Sequence, residues 1–392
     1  MSNDFELPER GFVFWPVGCG DSTTIVVNDS VVFQLDLRHM EKADDDDDPA
    51  WPVIDELVRL LPRRNGKPYL SVFALTHPDQ DHIAGFEELL RRVVIGELWH
   101  TPRIFRDYEK HLPLCEAAKV FRQEAHRRRR RMTETGGNAA AGDRLRVVGY
   151  DDLFKEDDYK DFPREYLTIP GTEITELDGE DVSTHFEAFV HAPFKVDMAE
   201  SRNNTSLALQ VTLKSEPRVA SALFFGDREY PTVKQVFEER KRNGNADRCE
   251  WDILLAPHHC SKKVMYWADE DAAQDTFQGD VMDLLQEHAR EGAHVIASGN
   301  NSFSDGEGDL PPHGKARRRY QEIIDADRFI CTHTHPDEQN TKPVKFELKP
   351  AGLELTSVLA AGAGQLGLKG AVAAARGGKA PPQQQVGFGR RS

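Results

Sequence analysis

Cysteine is scarce in this chain. Five occur in 392 residues, Cys19, Cys115, Cys249, Cys260 and Cys331. The number is odd and no CxxC spacing is present, which argues against a disulfide framework and against a thiolate zinc site. Long apolar runs are missing too: nothing approaches the roughly 18 residues that cross a bilayer. The N-terminal stretch MSNDFELPERGFVFW carries acidic residues where a secretory leader would be basic. Positive charge is also in deficit, with 50 Lys and Arg against 66 Asp and Glu and a net charge of −16. That balance weighs against a protein that coats nucleic acid through summed positive potential, although a local basic groove remains compatible with it. These absences imply a cytoplasmic protein with free thiols and no membrane contact. What remains, 39% hydrophobic and 30% charged residues, is the balance of a globular chain long enough for one large domain or two ordinary ones.

The order of local patterns indicates a layered α/β domain. Short β-rich runs cover 12–17, 23–27 and 31–35; the first two are parted by Gly18-Cys19-Gly20-Asp21, and the third ends at Asp36. A helix is expected over 52–61, and a compact apolar strand over 70–75 runs straight into Thr76-His77. The five aspartates at 44–48 read as a solvated loop. The pattern loosens between 101 and 200, where a helix over 116–131 ends in five arginines and a Gly/Ala stretch follows; part of this region is expected to be an insertion decorating the core. Strands are expected again at 206–213, 220–225, 252–256, 294–298 and 328–332. From 357 to 392 the composition turns to Ala, Gly, Gln and Arg, and a disordered tail is expected. The domain proper therefore spans 1–356.

The chemical signal is concentrated in Thr76-His77-Pro78-Asp79-Gln80-Asp81-His82-Ile83-Ala84-Gly85. Four potential ligands fall within six residues, between an apolar strand and a helical pattern at 86–93. A loop at a strand end is where a rigid scaffold can aim several side chains at one point. Imidazole and carboxylate together suit zinc or manganese better than calcium. An isolated string of this kind is also what a polar surface loop can offer. Three later segments change the balance: Asn203-Asn204-Thr205-Ser206, Gly226-Asp227 after an apolar run, and Pro257-His258-His259-Cys260-Ser261 after another.

In that order and spacing the set resembles the metallo-β-lactamase superfamily, and within it the branch containing the hydrolase domain of ComEC-type competence proteins. The matching pieces are Gly18–Asp21, Asp36, Thr76–Gly85, Asn203–Ser206, Gly226-Asp227, Pro257–Ser261 and Ser298–His313, so the resemblance covers roughly residues 10–350. It implies a metallo-β-lactamase αββα sandwich, two mixed β-sheets flanked by helices, in a free-standing member without the channel segments of a competence protein. It further implies two divalent ions, Zn²⁺ or Mn²⁺, with metal ligands His77, Asp79, Asp81, His82, Asp227 and His258. His77 and Asp79 would bind the first ion, Asp81 and His82 the second; Asp227 would bridge them and His258 would complete the second site. Asp36 would steady the ligand loop, with Asn203, Asn204 and His259 as further supports. Asp79 replaces the histidine most of the superfamily carries, and the third-motif histidine is missing.

The expected catalytic groups are Asp81, Asp227 and His313, the last as substrate contact or proton donor. Cys260 is expected to be a small packed residue rather than a soft ligand. The reaction expected is hydrolysis of a phosphodiester in a nucleic acid or nucleotide by a metal-bridging hydroxide. Two rivals stand beside it: hydrolysis of an amide, thioester or ubiquitin-like conjugate, and a metal-binding scaffold with little activity. Arg127–Arg131 and Arg317–Arg319 are either steering patches for nucleic acid or solvated helix faces.

Overall fold

The computed structural model describes residues 5–39, 51–102, 113–199, 201–268, 274–306 and 308–356. The acidic run 44–48 and the tail 357–392 lie outside them.

Two large mixed sheets form the middle of the molecule. The first runs, edge to edge, Gly352–Leu355, Val344–Lys349, Gly11–Phe14, Thr23–Val26, Val32–Leu35, Lys67–Ala74, Val94–His100, Arg144–Val148 and Leu167–Thr168. The second runs Phe329–Cys331, Ala289–Ala297, Trp251–Leu255, Arg218–Phe224, Ala208–Ser215, Phe186–Ala192 and Glu173–Ile174. Each sheet has a hairpin-linked antiparallel half and a parallel half: Val32–Leu35, Lys67–Ala74 and Val94–His100 in one, Arg218–Phe224, Trp251–Leu255 and Ala289–Ala297 in the other.

Period-two alternation sorts the side chains of the parallel strands. Ile253, Leu255, Ala222 and Phe224 point into the space between the sheets, where Phe12, Phe14, Phe33 and Trp99 meet them. Leu254, Leu223 and Phe225 point the other way, under helices Tyr230–Arg242, Gly279–His288 and Gly314–Ile323, and an irregularity between Trp251 and Ile253 turns Trp251 to the same side. On the first sheet's outer face Phe73 packs on Phe86 and Phe121, with centroids 5.1 and 6.0 Å away, seating helices Phe86–Arg92 and Glu116–Glu134. Strands buried on both faces read as near-continuous apolar runs, which is why they stood out in the sequence. The layering is αββα, as expected.

Within the stretch 101–200, Arg144–Val148 extends the first sheet and Phe186–Ala192 pairs along Ala208–Ser215 in the second. Four of the five arginines in the run are engaged within the protein. Arg128 is buried and donates to the carbonyls of Ile95 and Gly96, at 3.0 and 3.2 Å, and to Glu124 at 2.7 Å. Arg127, Arg129 and Arg131 pair with Glu124, Asp158 and Glu134. The second run is equally engaged: Arg318 with Asp305, Arg319 with Glu322, and Arg317 over the Phe303 ring. No described helix is long and apolar enough to cross a membrane.

Candidate metal centre

The parallel strands of both sheets end on the same side of the sandwich, and each deposits a polar residue there: Asp36, the His77–His82 loop, Asp227, His258-His259 and Ser298. Four loops interlock at this edge. Leu207 N donates to Thr76 O at 3.0 Å, Asp227 N to Ser206 Oγ at 3.3 Å, and His258 N to Gly226 O at 3.0 Å. Gly226 sits at φ +53°, and a Cβ there would stand 2.9 Å from Ser206 Cβ and 3.1 Å from Thr76 Cβ. Only glycine lets the loops approach so closely.

His82 is completely buried. Its Nδ1 lies 2.8 Å from Asp36 Oδ2, and its Nε2 turns inward. His259 has the mirror arrangement, with Nδ1 3.3 Å from Asp21 Oδ1 and its own Nε2 turned inward. These two Nε2 atoms face each other at 3.2 Å, with Asp227 Oδ1 at 3.0 and 3.3 Å from them and Asp81 Oδ2 at 3.3 Å from His259 Nε2. Ligand atoms held at about 2.0–2.1 Å by a tetrahedral ion lie about 3.3 Å from one another. Nε2 of His82, Nε2 of His259 and Asp227 Oδ1 have that spacing all round, and among the described residues the group whose ligand atoms all lie within 4.8 Å of one another is Asp21, His82, Asp227 and His259.

The other oxygen of Asp227 faces a second group. Asp227 Oδ2 lies 3.7 Å from both His77 Nε2 and His258 Nε2, and His77 Nε2 lies 3.6 Å from Asp79 Oδ2. His77 Nδ1 contacts the Thr76 hydroxyl at 3.1 Å, which itself donates to Asp36 at 2.6 Å, leaving Nε2 buried without a hydrogen-bond partner. His258 Nδ1 is 3.6 Å from Glu229, and Glu229 pairs with Lys263 at 3.1 Å. Arg202 Nη2 stands 2.9 Å from the remaining oxygen of Asp79, an ion pair in which that oxygen accepts no hydrogen bond.

Charge explains why these side chains want ions. Asp21, Asp36, Asp79, Asp81, Asp227 and Glu229 converge, and among the described residues the arginines and lysines that pair with them are Arg202 and Lys263. With the four imidazoles counted as neutral, as metal ligands are, four negative charges are left, the amount two divalent cations cancel. The buried histidines report the same field. At His100 and His191, burial pushes the pKa down, to about 4 and about 3, with no carboxylate among the causes. At His82 and His259 burial acts in the same direction, but Asp227 with Asp36 or Asp21 outweighs it and both are raised well above the ordinary value. Asp227 is buried as well, yet the surrounding histidines hold it well below the usual carboxylate range.

Backbone strain is concentrated here. Of seven described non-glycine residues with positive φ, four are Asp36, His258, His259 and Cys260, each costing about 1–2 kcal/mol. Three consecutive left-handed residues make a tight turn at the end of Trp251–Leu255, and from it His259 faces one oxygen of Asp227 and His258 the other.

All six expected ligands therefore meet, but His258 and His259 exchange places. His259, expected as a support, faces Asp81 and His82, whereas His258 joins His77 and Asp79. Adjacent residues in a left-handed turn diverge, and their sequence position could not tell them apart. Asp36 holds His82 as expected. Asn204 Oδ1 accepts from Glu229 N and Thr232 Oγ1, at 3.2 and 2.9 Å, and so fixes the loop after Asp227; Asn203 acts through its carbonyl, which accepts from Ser206. His313 is held by the backbone: Nδ1 accepts from Lys262 N at 3.2 Å, and Nε2 lies 3.1 Å from Asp309 O. Cys260 is buried in the outer core and its thiol is pushed up by burial, so it packs as a protonated side chain. Asp21, Glu229 and Arg202 had been assigned no role. Asp21 lies in the Gly18–Asp21 segment already noted, but nothing local marks Glu229 or Arg202.

No protein-family model matches the chain, and no curated protein does. Among solved structures it is similar to the metallo-β-lactamase fold protein YhfI from Bacillus subtilis, at 10% identity over 82% of this chain and 96% of that one, with a TM-score of 0.38. It is similar also to the archaeal metallo-β-lactamase superfamily protein ST1585 from Sulfolobus tokodaii, at 12% identity over 81% and 97%, with a TM-score of 0.30. A third is the class B3 di-zinc metallo-β-lactamase LRA-12 from an Alaskan soil metagenome, at 11% identity over 74% and 95%, with a TM-score of 0.32. Likenesses this distant add no weight to what the sheets and the cluster themselves establish.

Proposed function

We propose that residues 1–356 form a two-metal hydrolase of the metallo-β-lactamase type, related to the ComEC-like branch, that cleaves phosphodiester bonds in a nucleic acid or nucleotide. The observation that carries this reading is the charge count at the strand ends: six carboxylates, two side-chain cations, and four imidazoles that each present Nε2 to Asp227. His77, Asp79 and His258 would hold one ion, Asp81, His82 and His259 the other, with Asp227 shared between them. Zinc or manganese ions there would supply an ionised water near neutral pH and offset negative charge on phosphoryl oxygens.

The chain's own residues prepare that chemistry. Asp36 and Asp21 hold His82 and His259 in the orientation that presents Nε2, so neither ring has to reorganise when an ion binds. Burial of His77, His82, Asp227 and His259 keeps bulk water out of the floor of the site. Asp79, Asp81 and His258 are only partly buried and form the open side, where Arg202 and Lys263 stand. The choice of a phosphodiester over an amide or thioester follows the resemblance of the ligand segments to the ComEC-like branch.

The test is metal analysis of protein stripped and reloaded with Zn²⁺ or Mn²⁺, together with hydrolysis of bis-p-nitrophenyl phosphate. Two ions per chain and phosphodiester cleavage that disappears in His82→Ala are expected. No bound metal under any loading condition would overturn the proposal; two ions with cleavage of thioesters or amides only would overturn its substrate half.

A further inference from the structure

We propose that Arg202 is a positioning residue for the first ion: it engages one oxygen of Asp79 so that only the other is presented to the metal. This rests on the two-ion reading.

Arg202 Nη2 lies 2.9 Å from Asp79 Oδ1, while Asp79 Oδ2 is the oxygen that faces His77 Nε2. The carboxylate is thereby divided between a guanidinium and a cation pocket. An unrestrained aspartate can chelate with both oxygens, a mode suited to large, flexible calcium shells; a single oxygen suits the compact shells of zinc and manganese. The other carboxylate of the first pocket, Asp227, is anchored by burial, whereas Asp79 is 23% exposed on the open side.

Arg202 is itself placed by the framework. Its carbonyl accepts from Thr205 N at 3.0 Å and Thr205 Oγ1 at 2.8 Å, closing the turn. Ser206, at the end of that turn, donates to Asn203 O at 2.7 Å, receives Asp227 N at 3.3 Å, and gives its carbonyl to Arg228 Nε at 2.9 Å. Leu207 N then joins Thr76 O. The segment carrying Arg202 is thus tied to both loops that carry the ligands, and the guanidinium is held to the same frame as the ion pocket. The pair also keeps the charge in balance: a carboxylate ligand adds a negative charge to the first pocket, and Arg202 removes it.

The experiment is a double-mutant cycle on Arg202 and Asp79, read by metal content after dialysis and by calorimetric titration of stripped protein with Zn²⁺ and Mn²⁺. Circular dichroism and thermal unfolding identify variants that fail to fold, and Arg202→Lys provides a conservative companion. Wild type should hold two ions. Arg202→Gln should keep the tighter ion and bind the other roughly 10- to 100-fold more weakly, the usual cost of losing such a partner. Arg202→Lys should fall between. Asp79→His, which has no second oxygen to restrain, should make Arg202 dispensable, so that Asp79→His/Arg202→Gln binds like Asp79→His alone. Unchanged affinities for both ions in Arg202→Gln would overturn the proposal, as would a rise in KM alone, which would make Arg202 a substrate contact. Absence of metal from the wild type would instead overturn the two-ion reading.

Discussion

On one side of the Asp227 carboxylate, His82 and His259 stand 3.0 and 3.3 Å from Oδ1; on the other, His77 and His258 stand 3.7 Å from Oδ2. The closer pair is fully buried, and each ring rests on a buried carboxylate, Asp36 or Asp21. The wider pair is supported less directly. His77 leans on a hydroxyl, His258 lies 3.6 Å from Glu229 with an unpartnered Nδ1, and Asp79 is shared with Arg202. A ligand set already at tetrahedral spacing needs little rearrangement on binding, and the looser set has to close. Preorganisation is worth affinity because its cost is met in folding. The second pocket should therefore hold its ion more tightly, and the first should fill last and empty first.

The largest expected effect comes from removing what the two halves share. Asp227→Asn should reduce bound metal to less than one ion per chain and phosphodiesterase activity by on the order of 10³-fold, measured by metal analysis and steady-state rates. Next, the two adjacent histidines should differ. His259→Ala should lose the tightly held ion, while His258→Ala should retain it through dialysis, both losing about 10²-fold in rate. The reverse pattern would invert the comparison. Changes one step further out should be smaller: Asp21→Asn and Asp36→Asn should each weaken the tighter ion by roughly 10- to 100-fold and leave the looser one nearly unchanged. His313→Gln should do least. Loss of a ring with both nitrogens on the backbone should cost about 1 kcal/mol of stability, visible as a small fall in thermal midpoint, with metal content and rate close to wild type.

Much of the centre could be read from local patterns. The ligands follow apolar runs, and such runs end where a strand emerges from between two packed layers; the polar residues after 70–75, 220–225 and 252–256 were thus recognisable as strand-end residues. Element limits shifted by only a few residues, as at Lys67–Ala74 and Trp251–Leu255. Strands Val94–His100, Arg144–Val148, Phe186–Ala192 and Val344–Lys349 were not singled out. Several carry buried polar side chains, Glu97, His100, Arg146 and His191, that break the apolar signature. The arginine run was ambiguous for a related reason: its partners Asp143 and Asp158 are brought to it by the chain's return.

By itself the sequence picked out most of the side chains that converge and showed that they sit at strand ends, because periodicity and turn residues act over a few neighbours. Only the tertiary structure decided that His259 belongs with His82 and His258 with His77, that Asp21 and Glu229 stand behind them, and that Arg202 meets Asp79. Those pairings depend on a left-handed turn and on loops from different strands approaching within hydrogen-bonding distance, and neither leaves a mark in any short window of residues.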